Sequence, residues 1–257
     1  MKISAWRAQL EPALKRTPVS ITDVIEIQEE LQRAFQLIPD GPAPLSAFNN
    51  LYLTITRKVL REYQTGGFRD PGFIAVLDVQ FARRYLNALQ SWMQADGQTP
   101  DCWATLFEKR QSDGITNMQG MLAGVSSHVN YDLAQALVAT FAERGLELGT
   151  GGATLSPQHQ DYKKINDIFF AEIPDLRRSA YSSRWYVILD VATGKVDDYI
   201  DDMAVAAARA IAWRESIRLW ALRAAPTEYD GYVRKLDAVV TRINHLIFYS
   251  EASGSPA

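Results

Sequence analysis

The stretch GVSSHVNYDLAQALV, residues 124–138, places the imidazole of His128 four residues before the carboxylate of Asp132. On a helix, positions four apart lie one above the other on the same face. A carboxylate there can orient the ring and stabilise its protonated form, which is the equipment of a general acid–base dyad. Imidazole plus carboxylate also suits a divalent metal. A third reading is a hydrogen bond that only holds the core together. The stretch is apolar nearly all the way round, the pattern of a central, buried helix. A polar group buried there without a partner costs roughly 2–7 kcal/mol, so the pair must be satisfied.

Two further sets of polar residues fall on apolar faces. In HQDYKKIND, 159–167, His159, Tyr162 and Asn166 share a face, while Asp161 is offset and suits the first turn of its own helix. In VLDVQFARRYLNAL, Asp78 shares a face with Phe81 and Tyr85. An acid among aromatic rings needs a partner, and Arg209 or Arg214 of ARAIAWRESIRLW, beside Trp213, are the expected donors. His128, Asp132, His159 and Tyr162 are therefore the expected catalytic residues. Asp78, Tyr85, Asn130, Asn166, Arg209 and Trp213 are the expected substrate-binding residues.

No cofactor and no metal is assigned from these residues. The chain has three histidines and one cysteine, Cys102, too few for a multinuclear or cysteine-built zinc site. A single metal held by His128 and Asp132, with His159 and either Asp161 or Asp78, stays open as the alternative. VDDYIDD, 196–202, aligns Asp197, Asp198 and Asp201 in the D-D-x-x-D spacing with which carboxylates bridge magnesium and diphosphate. The required second motif is missing from NDIFFAEI, 166–173, and acids in a helix's first turn need no ion.

The elements that must position these groups are helices. Ser20 and Asp23 open one that carries Val24, Ile27, Leu31, Phe35 and Ile38, and PDGPAP, 39–44, stops it. Further helices are expected over about 46–64, 71–95, 100–111, 115–144, 157–172, 174–190, 196–223 and 227–249. Pro71 begins the third of these in the whole chain, and Gly145 closes the central one. The glycines of LGTGGATLSP, 148–157, read as a linker, since neither a preceding strand nor a following Lys-Ser/Thr makes them a phosphate loop. The expectation is all-α: one domain of eight or nine helices over 1–250, with a tail at 251–257.

At 257 residues, 47% apolar and 22% charged, the composition is that of a globular protein. A net charge of -3 with scattered basic residues provides no footprint for nucleic acid. No apolar run reaches membrane-spanning length and the first residues lack a signal-peptide core, so a cytoplasmic location and no membrane partner are expected. A homodimer stays open.

The blocks 40–59, 68–89, 124–137, 159–167 and 208–219, in that order, make the chain resemble an uncharacterised family of bacterial helical proteins. In that family the histidine motif reads Asn-Ala-His-x-Asn-x-Asp-Leu. Here Ser126 and Ser127 stand at the Asn-Ala pair, while His128, Asn130, Asp132 and Leu133 match. The resemblance implies one helical domain with His128, Asp132, His159, Tyr162, Asn166 and Asp78 at motif positions, and no settled activity. The residues themselves suggest metal-independent acid–base chemistry on a small, largely apolar molecule, such as cyclisation, isomerisation or elimination. No activated Ser or Cys nucleophile stands out. Metal-assisted hydrolysis and a non-catalytic binding or scaffolding role are the alternatives.

Overall fold

Asp70 and Pro71 show how local chemistry sets the elements. Asp70 caps a helix by accepting a bond from the Phe73 amide at 2.9 Å, and Pro71 fills the first helical position, where an N–H would find no partner. The computed structural model describes residues 3–38, 43–109, 114–149, 156–171 and 204–249. These form α1 (Ile3–Leu14), α2 (Ile21–Leu37), α3 (Ala43–Gln64), α4 (Pro71–Gln94), α5 (Asp101–Lys109) and α6 (Asn117–Ser127). A π-helical turn, His128–Asp132, then leads into α7 (Leu133–Glu143), followed by α8 (Pro157–Ala171), α9 (Ala204–Leu222) and α10 (Pro226–Tyr249). With α6, the π turn and α7 counted as one rod, nine helices and no strand occur among the described residues. The all-α expectation holds.

That rod is the centre of the molecule. α6 packs on α3, α5 and α10, α7 packs on α4 and α9, and the π turn meets α4, α9 and α10. Thr116 and Gln119 open α6 with a reciprocal capping box, and the Gln119 side chain also donates to Ile247 O of α10 at 3.0 Å. Close approach to α3 depends on two glycines. A Cβ at Gly120 would lie 2.6 Å from Pro44 Cα, and one at Gly124 would lie 2.4 Å from Phe48 Cγ. Bare backbone at these positions lets the Phe48 ring sit against the rod beside His128.

Three differences from the sequence reading have physical causes. α1 was not expected, yet Trp6 and Leu10 are fully buried and join the common core. α3 begins at Ala43, so the last proline of PDGPAP, Pro44, lies within its first turn, where a missing N–H costs nothing. Asp161 does not serve its own helix: its two oxygens accept from the amides of Arg69 at 2.9 Å and Asp70 at 2.6 Å, tying α8 to the start of α4. The expected helix at 174–190, the start of the one at 196–223, Asp197, Asp198, Asp201 and the 251–257 tail lie outside the described residues.

Candidate functional site

His128 and Asp132 are 3% and 2% exposed and form the expected pair, Nδ1 to Oδ2 at 2.9 Å. The same Oδ2 accepts from Trp103 Nε1 of α5 at 3.0 Å. Two donors converging on one carboxylate oxygen assign the ring proton to Nδ1 and leave Nε2 as a bare lone pair. His128 Nε2 is buried and has no hydrogen-bond partner. Burial drives the imidazole's pKa below its usual value, against the opposing pull of Asp132, so the ring stands neutral. Burial likewise pushes the Asp132 carboxyl up, and the bonds from His128 and Trp103 and the charge of Arg84 oppose it.

Aromatic side chains fix the ring. Phe81 of α4 stacks flat on it, with centroids 3.5 Å apart and planes 7° apart, and Tyr52 of α3 meets it edge-on at 4.6 Å. Phe48 approaches it edge-on at 5.8 Å. The serine pair before the motif behaves asymmetrically. Ser127 Oγ donates to Cys102 O and accepts from Asn244 Nδ2, joining the rod to α5 and α10, while Ser126 Oγ is buried without a partner.

His128, Tyr52 and Asp78 all line one apolar cavity between α3, α4, the central rod, α8 and α9. Its free volume is about 70 Å³, enough to admit water or a small molecule. Each of the three carries a buried polar atom without a partner: His128 Nε2, the Tyr52 hydroxyl and Asp78 Oδ2. Orphaned buried groups are uncommon, and three on one cavity is a concentration that a folding core alone does not call for. Asp78 is half-buried as a residue, yet desolvation of its carboxyl raises the pKa to about 7. Burial also holds the Tyr52 phenol well above its usual range, as a neutral donor.

The expected ion pair from Asp78 to Arg209 or Arg214 is absent, because Oδ2 meets no donor and burial alone shifts the carboxyl. Arg209 lines the same cavity from α9. Its Nε donates to Asn166 Oδ1 at 2.5 Å and its Nη2 to Tyr162 O at 2.9 Å. The guanidinium lies 4.3 Å from the centre of the Tyr162 ring, and the Tyr162 hydroxyl donates to Arg209 O at 2.5 Å. Tyr162 and Asn166 thus hold Arg209 rather than facing the cavity.

The remaining candidates lie apart. His159 packs against Trp213 at 4.5 Å, on the far side of Tyr162, and neither ring lines the cavity. Tyr85 is fully buried beside Trp103, its hydroxyl unpartnered and its pKa raised by burial, but it too lies behind the cavity wall. Asn130 is half-buried and outside the cavity. No group of three His, Cys, Asp or Glu side chains gathers as a metal site among the described residues. Tyr52 and Trp103 went unassigned as site residues; a phenol within the apolar stripe of α3 was the signal available for the first.

A second, more polar cleft of about 580 Å³ opens on the other side of the pair, with Arg83, Arg84, Gln80 and Asp132 in its wall. Arg84 is held there by a 2.8 Å bond to Gln135 Oε1. The histidine block itself falls within residues 21–250, which match the model of a family of unknown function, DUF5995. The chain belongs to the DUF5995 family. No curated protein and no solved structure matches this DUF5995 chain. None of its helices, among the described residues, is long and apolar enough to cross a membrane.

Proposed function

We propose that the cavity is the active site of a metal-independent enzyme that moves protons on a small, largely apolar molecule. The observation that carries this reading is the set of three unpartnered polar atoms, on His128, Tyr52 and Asp78, around one apolar cavity. A neutral imidazole with a free Nε2 is a base, and a carboxyl raised to about 7 is still partly protonated at neutral pH and serves as an acid. His128 Nε2 takes a proton from carbon, and the electron pair moves into an adjacent unsaturated bond. Asp78 returns a proton elsewhere on the molecule, giving isomerisation, or to a departing group, giving elimination. The Tyr52 hydroxyl donates to an oxygen that gains negative charge. Asp132 and Trp103 keep the ring oriented and steady the imidazolium, and the second cleft brings solvent to the Asp132 side.

Such chemistry exchanges substrate protons with solvent. In deuterium oxide, the purified protein incubated with a pooled small-molecule extract is expected to label at least one compound, and folded His128→Ala is not. Equal labelling by both proteins, or none by the wild type, removes the catalytic reading. The flat stack of Phe81 on His128 also suits a binding protein without chemistry. Under that reading His128→Asn lowers stability and no compound is labelled.

A further inference from the structure

The catalytic reading leaves Arg209 without a task. It is 6% exposed, lines the apolar cavity and takes part in no ion pair among the described residues. A buried cation without a counter-charge is costly, and burial accordingly pulls its pKa down. Among the described residues, the acids of α8 and of the cavity wall are committed or unsuitable. Asp161 spends both oxygens on the Arg69 and Asp70 amides, Asp167 is exposed, and Asp78 makes no bond to the guanidinium. The Tyr162 phenol, raised to about 12 by burial, is no anion at neutral pH.

The guanidinium is nonetheless held firmly. Asn166 takes Nε, the Tyr162 carbonyl takes Nη2, and the Tyr162 ring backs its face. Nη1 has no partner among the described residues, and Arg209 lines the cavity. A fixed arginine with a donor unused among the described residues, in an otherwise apolar chamber, has the form of a carboxylate anchor.

We propose that the cavity binds a small monocarboxylate, its carboxylate on Arg209 and its hydrocarbon part directed toward His128, Tyr52 and Asp78. This rests on the cavity being the site of the proposed chemistry, and it defines the substrate class. A free volume of about 70 Å³ limits the occupant to a small acid. Phosphate is a poorer fit, because one arginine in an apolar wall cannot satisfy a dianion's several acceptors.

The test is calorimetric titration of the full chain with valerate and isovalerate, against valeramide and inorganic phosphate. Valerate or isovalerate is expected to bind, with valeramide and phosphate weaker by at least roughly tenfold, as for loss of a charge-assisted hydrogen bond. Arg209→Gln is expected to bring the acids down to the amide level, while Gly231→Ala, which does not line the cavity, still binds them. Equal affinity for acid and amide, no binding of either acid, or tighter binding of phosphate overturns the proposal. If Arg209→Gln fails to fold, the acid–amide comparison on the wild type still decides. Arg209-dependent binding of the acids without His128-dependent deuterium labelling would keep the anchor and end the catalytic reading, so the two failures are distinguishable.

Discussion

The burial of Asp78 sets how the molecule responds to pH. Its carboxyl has an ordinary pKa of 3.8 and is raised to about 7 in the folded chain by desolvation. Between those values the folded state holds a proton that the unfolded state has released. The contribution of Asp78 to stability is therefore complete below about pH 4 and is lost as pH rises through about 7. Asp78→Asn removes the ionisation and keeps the size. It is expected to stabilise the protein at pH 8 by on the order of 2 kcal/mol, a figure reduced for the residue's partial exposure, and to have little effect at pH 4. Urea unfolding at the two pH values checks this, and an equal effect at both would show that the carboxyl is not desolvated. That Asp78 needs a partner was legible from an acid among aromatics. Its lack of one was not, since whether Arg209 reaches it depends on which bonds α8 offers that arginine first.

At the scale of elements, the π turn and the two glycines set the site. The Leu133 amide bonds to His128 O, five residues back, so the turn carries one residue more than a regular helical turn. Helical periodicity placed His128 and Asp132 on one face, but 3.6-residue spacing contains no signal for the wider turn. Gly124 has a direct consequence. A methyl there would lie 2.4 Å from Phe48 Cγ, while Gly231 in α10 has nothing closer than 3.9 Å. Gly124→Ala is expected to destabilise by about 1–3 kcal/mol through overpacking. Gly231→Ala is expected to stabilise by about 0.5–1 kcal/mol, because alanine is the better helix former. Thermal unfolding of both variants is the check; a neutral Gly124→Ala would mean that α3 and α6 are not held so close.

Across the whole molecule, buried apolar residues from α1 to α10 form one connected core among the described residues. The helical class was legible because capping residues, prolines and apolar spacings agree along the chain. The convergence of the polar residues was not. The helical faces that carry His128, Asp78, and His159 with Tyr162 look equivalent in the sequence, yet only His128 and Asp78 reach the cavity, because Tyr162 and Asn166 turn inward to hold Arg209. The chemistry proposed for that cavity depends on the state of one ring, and a chain with only three histidines allows it to be observed directly. Nitrogen-15 NMR of the histidine side chains from pH 5 to 8, with His128 assigned by its loss in His128→Gln, is the measurement. The account predicts a neutral ring at pH 7, protonated at Nδ1 and bare at Nε2, that gains its second proton only below the usual histidine range. A His128 that carries its proton on Nε2, or is already an imidazolium at pH 7, would contradict it.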